Sequence, residues 1–553
     1  MSKPVGPPFQ IPDWRAAALE KRQSTAASIP EAFRLPSGLR EKSEASVLLP
    51  SDPDILVCGI LTPLDIEITS ITSVSVLLSG IVDRVYTAIE VTSAFCKRAA
   101  IAHQCTSCLT EFMYERAMIR AKELDDYLAF NGRTIGMLHG LPVSLKDCFD
   151  VEDVNTNAGL VSWLPYIARR NSAIAQGLLN AGAVLFAKTN SSQALLMVES
   201  INNIFGVVKN PYNLGLSVGG SSGGEAALIA ANGSILGSGS LKPSKERMPG
   251  RGVSVPRSGS ESVNAGLGPL AKSVDGLELW LKAQLASEPW NESPGCLPMR
   301  WNGVEAQRPT KKLKVAVIWD DGIIRPTPPV TRAIQMVVDS LTNAGHCVVS
   351  LPSDRIFSLH RHGLSCTMLS NAQDGGRTVL HHIAASGEPV VPRTAVGSDA
   401  SALTAEEIFA NHLLRARLAG EYDELWRDFE MDAILAPATP HPANPHGQYI
   451  SNSYATVYNM LDYVAGTIPV TTVDTKLDVA DENWYGGEVY ERIEPVRFPY
   501  DKGDKEMKKL YSSPLVFENA PVGVQILCRR LREEKCIGIL KEIERLLEMT
   551  NEV

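Results

Sequence analysis

One local grammar occurs twice in the chain, and it constrains the fold more than any other feature. Residues 172–190 read "SAIAQGLLNAGAVLFAKTN", with apolar residues at three- and four-residue spacing, a stop at Gly182 and then an apolar run from Ala183 to Lys188. Residues 331–351, "TRAIQMVVDSLTNAGHCVVSL", repeat helix, "NAG" and strand, and the apolar run "KLKVAVIW" precedes them. A helix that turns directly into a buried strand, used twice, predicts an α/β sheet covered by helices.

The other segments fit that frame. Residues 1–60 form a polar, Pro-rich extension, partly irregular, and residues 64–130 carry helical periods in "TSAFCKRAAIAHQ" and "ERAMIRAKELDDYLAF". "GMLHGLPVSLKDCFDV" predicts a buried strand with turns, "VAGTIPVTTV" another strand, and "EEKCIGILKEIERLLEM" a closing amphipathic helix. Residues 61–553 then read as one large domain, with 283–312 as a surface connection or insertion. At 44% hydrophobic and 21% charged residues the chain can bury a core, and a net charge of −9 offers no basic stripe for nucleic acid. Ten irregularly spaced cysteines, with "CTSC" the one close pair, predict free thiols in a reducing compartment rather than a zinc site. With no signal-like start and no apolar span, the expected location is the cytoplasm.

"SVGGSSGGEAALIAANG", residues 217–233, carries the most chemistry. Four glycines bracket Ser221 and Ser222 just before a helix, so backbone N–H groups and the helix dipole converge on two hydroxyls. A phosphate-binding loop needs a lysine where Glu225 stands, and in "GLGPLAKS" Ala271 replaces the required glycine. A nucleophile elbow fits "GGSSGG" but should follow an apolar strand, whereas "KNPYNLGLS" is turn-like. The third reading couples the loop to "GLPVSLKDCF". Lys146, inside an apolar strand, becomes a general base when burial lowers its pKa opposite serine hydroxyls.

On these residues the chain resembles the amidase signature family, acetamidase-type branch. The resemblance rests on "GLPVSLKD", "AKTNSSQALLMVESINNIFGVVKNPYN", "GGSSGGEAALIA", "LGPLAKSVDGLELW", "DAILAPATP", "NMLDYVAGTIPVT" and "APVGVQILCRRLREE", from about residue 60 onward. It implies a three-layer α/β/α sandwich around a large twisted mixed sheet, hydrolysis of carboxamides to carboxylate and ammonia, and no metal or organic cofactor. It implies a Ser-cisSer-Lys triad in which Lys146 is the base and Ser221 the relay serine on a non-proline cis peptide bond. Gly219, Gly220, Gly223 and Gly224 would supply the permissive backbone. Leu195 would lie near the acyl side of the pocket, with Gly219, Gly220 and Ser222 as further substrate-binding residues. The implied partner is a small-molecule amide, without nucleic acid or membrane, and a homodimer is compatible with it.

The resemblance breaks at one place. The family continues with a G-x-G-T-D-x-G-G-S-[aliphatic]-R-x-P stretch whose final serine is the acylated nucleophile, whereas here "LGSGS" runs directly into "LKPSKERMPGRG". The junction between Ser240 and Leu241 omits roughly seventeen residues, a length that fully extended would span on the order of 55 Å. Loss of a triad nucleophile lowers turnover about a millionfold, so the chain as written is expected to be inactive. Three readings follow: a hydrolase whose message encodes a further stretch at the junction, a non-catalytic amide-binding relative, and a rewired hydrolase using Ser238 or Ser240.

Overall fold

The computed structural model describes residues 9–239, 243–257, 259–263, 266–486, 490 and 503–551. Ser240 and the Ser240–Leu241 junction lie outside them.

Among the described residues the strands form two mixed five-stranded sheets and two small hairpins. In the first sheet Val184–Thr189, Pro142–Lys146 and Leu236–Gly239 run parallel, flanked by antiparallel Leu109–Phe112 and Gly268–Ala271. The second sheet is ordered Cys347–Ser350, Lys314–Val317, Ala433–Pro437, Pro521–Cys528, Val464–Thr472. Its first three strands are parallel, and Pro521–Cys528 opposes both its neighbours.

Side-chain alternation makes the layers. Leu185 enters one apolar cluster while Val184 and Phe186 enter another, and Val315 and Val317 part from Ala316 and Ile318 in the same way. The cluster holding Leu185, Val143 and Leu145 also holds Val315, Leu435 and Ile526, so a single core joins both sheets. Helices close the outer faces: Ala88–Thr106 and Gly223–Ala230 cover the first sheet, and Ala405–Phe429 covers the second. The result is α/β/α, with the strands divided between two hydrogen-bonded sheets rather than gathered in one.

Both repeats of the helix–strand grammar form as the periodicity predicts. Ala173–Asn180 leads to Val184–Thr189 and Pro328–Asn343 to Cys347–Ser350, and Gly182 (φ +89°) and Gly345 (φ +80°) take the left-handed turn between them. The N-terminal extension is more ordered than its composition suggests. It carries helices Trp14–Ala27, Ser37–Glu44 and Pro53–Val57, and Leu35, Leu39, Leu48 and Ile55 pack with Ile101 and Cys105. Residues 283–286 end the Val274–Ala286 helix, and the rest of 283–312 is connection, with Ala306 buried. "KNPYNLGLS" is a short hairpin, Lys209–Asn210 with Asn213–Ser217, not a plain turn. All ten cysteines are free, and eight are buried.

Candidate active site

The strand Pro142–Lys146 is buried at every position. On its helix-facing side Ser144 and Lys146 point toward the Gly223–Ala230 helix and the serine loop ahead of it. Lys146 Nζ donates to Ser221 Oγ at 2.6 Å. Burial disfavours the ammonium and lowers the Lys146 pKa to about 8, against the charges of Cys148, Asp147 and Glu225, which push it up. An amine in that range exchanges a proton with a hydroxyl near neutral pH.

Ser221 follows a cis peptide bond from Gly220, as the family resemblance implies. Close packing explains the flanking glycines better than backbone freedom does. Gly219 alone of the four has a left-handed φ, +81°. A Cβ on Gly220 would meet Met197 O and Glu199 N at 2.8 Å, and one on Gly224 would meet Asn190 N and O at 2.4 Å. Asn190 O in turn accepts the Gly224 N–H at 3.0 Å, and Ser200 Oγ accepts that of Gly223 at 2.8 Å, which pins the loop to the "TNSS…VES" segment.

Two buried acids support this loop, and neither stands out in the sequence. Glu225 accepts hydrogen bonds from the Ser144 hydroxyl and from Thr189 Oγ1, the latter at 2.7 Å, and burial raises its pKa to about 7. Gly237 leaves room for it, since a Cβ there would overlap Glu225 Oε1 at 1.7 Å. Glu199 lies against Gly220, with Oε1 2.7 Å from His446 Nδ1 and Oε2 accepting Gly447 N–H at 2.9 Å. The available signal was a charged residue inside an otherwise apolar or small-residue run, as in "GGEAALIA".

A cavity of about 460 Å³ opens beside the loop, and its wall includes Gly220, Ser221, Leu195, Met197 and Gln525. Leu195 and Gly220 both contribute to that wall. Gly219 and Ser222 are not among the described residues of the wall. Gly219 N donates to Ser217 Oγ, and Ser222 is the N-cap residue of the Gly223–Ala230 helix, with its hydroxyl toward Gly239. No histidine contributes to the cavity wall, which removes the partner an elbow-type serine needs.

The structure also corrects the rewired reading for Ser238. Ser238 is in register with Leu145, so it shares the sheet face of Leu145 and not that of Lys146. Its Oγ accepts the Trp280 indole N–H at 2.8 Å, inside the apolar layer shared by the two sheets. Ser240 lies outside the described residues.

A layered α/β/α protein with a lysine–serine pair at the edge of a cavity has the equipment of a hydrolase that moves protons through hydroxyls. The Amidase family model matches residues 90–240 and 241–537, two stretches that abut at the junction. The chain is 34% identical to an acetamidase of Emericella nidulans over 97% of this chain and 98% of that one. It is also 34% identical to an acetamidase of Aspergillus oryzae, over 97% and 99%. Among solved structures, a fatty acid amide hydrolase superposes with a TM-score of 0.88 at 28% identity, covering 99% of this chain and 98% of that chain. A bacterial aryl acylamidase of the amidase signature enzymes shares the fold, with a TM-score of 0.64 at 17% identity over 86% and 96%. The chain belongs to the amidase family.

Proposed function

We propose that this protein carries the proton-handling half of an amidase site, Lys146 and Ser221, and lacks the stretch that supplies the nucleophile. The observation that carries the proposal is the 2.6 Å bond from Lys146 Nζ to Ser221 Oγ at the edge of the cavity. In a complete site, neutral Lys146 takes the Ser221 proton while Ser221 takes that of the nucleophilic serine. The nucleophile then attacks the carboxamide carbon, the proton returns through the same pair to the departing ammonia, and water cleaves the resulting acyl-serine ester to free the carboxylate and restore the serine.

The abutting family matches at 240 and 241 support a missing internal stretch, because all that flanks it is retained. Without the nucleophile and the N–H groups beside it, the chain as written binds a small amide, with Leu195 toward its acyl side, and does not turn it over. A message with further codons between those for Ser240 and Leu241 would encode the active form. Kinship with acetamidases favours small primary amides. Among the described residues no helix is long and apolar enough to cross a membrane, and a cytoplasmic location, with a homodimer as a compatible assembly, forms part of the proposal.

Restoring the segment tests this. A chain with the family stretch inserted between Ser240 and Leu241 should release ammonia from acetamide, and Lys146→Ala in that chain should abolish it. Release that survives Lys146→Ala would refute the assigned role.

A further inference from the structure

Among the described residues the cavity wall contains two arginines, Arg257 and Arg393, and no aspartate or glutamate. Neither arginine forms an ion pair among the described residues. Arg257 Nη1 donates to Asn371 O at 3.1 Å and to Asn371 Oδ1 at 2.9 Å, and among the described residues Nε and Nη2 have no acceptor. Arg393 Nη1 donates to Tyr449 O at 3.2 Å. Asp374 is close enough to Arg257 to favour its charge, but its oxygens accept the N–H groups of Gly376 and Thr378.

The two arginines come from adjoining segments. Asn371 precedes the 373–376 turn, where a Cβ on Gly376 would meet Gly397 N at 2.7 Å, and Ala395 N donates to Leu196 O at 2.7 Å. The same wall is apolar at Leu195, Met197, Leu364 and Met368. A guanidinium keeps its charge when partly buried, and with no carboxylate bonded to it among the described residues it selects an anion, best a carboxylate held by its fork of donors.

We propose that the cavity selects amides carrying a second, anionic end: ω-amido carboxylates, with the amide at Ser221, a short alkyl stem along the apolar wall, and the carboxylate at Arg257 and Arg393. The inference rests on the amide-binding reading above and specifies its substrate class. A phosphate is the weaker fit, since no glycine-rich nest of N–H groups accompanies the arginines.

The test is equilibrium binding to the full chain by calorimetry, which needs no turnover. Succinamate, glutaramate and adipamate are titrated beside the neutral butyramide, valeramide and hexanamide, with pentanoate as an anion without an amide. At least one amido acid should bind about tenfold or more tightly than its neutral match. That preference should weaken as salt rises, fall in Arg257→Met and in Arg393→Met, and persist in part in Arg257→Lys. The salt series on the unmodified chain stands even if a variant fails to fold. Equal affinity for neutral and anionic amides overturns this proposal and leaves the amide-binding reading intact. Pentanoate binding as well as glutaramate overturns the amide-binding reading, while no binding by any probe overturns both.

Discussion

Ser238 lies in register with Leu145, one residue from Lys146, so its side chain and the Lys146 amine emerge on opposite faces of the same sheet. Strand alternation makes this separation independent of rotamer. A serine one residue along the strand would face the lysine layer. The positions beside Ser238 are Gly237 and Gly239, where a Cβ would fall 1.7 Å from Glu225 Oε1 and 2.7 Å from Leu270 Cδ1.

A serine-directed fluorophosphonate should therefore leave Ser238 unmodified, as read by peptide mass spectrometry. Ser238→Ala should act on stability alone: it strands the buried Trp280 N–H and costs about 1–3 kcal/mol in urea unfolding. An adduct at Ser238 would contradict its placement.

Lys146 is held at about pKa 8 against an ordinary 10.5, so the unfolded chain binds more protons between these values. Stability contributed by this group is present above pH 10.5 and is lost as pH falls through 8. Lys146→Met should remove that dependence. Relative to the unmodified protein it gains up to about 3 kcal/mol between pH 10.5 and pH 7. A stability difference that stays flat across the window would mean the amine is not buried as described.

Glu225 has the opposite sign. Its pKa rises from 4.5 to about 7 on burial, so its contribution is present below pH 4.5 and is lost as pH climbs through 7. Glu225→Gln keeps one acceptor oxygen, replaces the other with a donating NH2, and should gain on the parent as pH rises from 4.5 to 7, by up to about 3 kcal/mol. Removing this negative charge should also lower the Lys146 pKa below about 8, which carbon-13 NMR of the lysine Cε would report.

Gly224→Ala places a methyl group 2.4 Å from both backbone atoms of Asn190, which cannot swing away as a side-chain tip can. A loss of roughly 2 kcal/mol or more is expected from such overpacking. Gly219→Ala meets no atom within 4 Å and pays only for its left-handed φ, so it should cost less. Melting temperatures in the reverse order would overturn the packing explanation of "GGSSGG".

The α/β class was legible because the helix–strand grammar is local: Gly182 and Gly345 mark its turns, and the apolar periods between them need no distant partner. Lys146 was legible for the same reason, as a charge in a strand buried along its whole length. The division into two sheets was not, since pairing order depends on contacts far apart in the chain, such as Ala433–Pro437 with Pro521–Cys528, whose paired residues stand 87 to 93 positions apart. Glu199 and His446 stand 247 positions apart, and nothing local announces their pairing. The direction of the Ser222 hydroxyl, toward Gly239, was not legible either, because it depends on where the helix start meets the neighbouring strand. Arg257 and Arg393 stand 136 positions apart, and only the fold brings both to one cavity.

Ammonia release by the purified 553-residue chain, measured on acetamide beside the same chain with the nucleophile stretch inserted between Ser240 and Leu241, tests the central claim most directly. The expected result is no release above background from the chain as written and turnover from the extended one, with both folding cooperatively. Sustained release from the chain as written, abolished by Ser221→Ala, would show that a nucleophile survives within it and would contradict the claim.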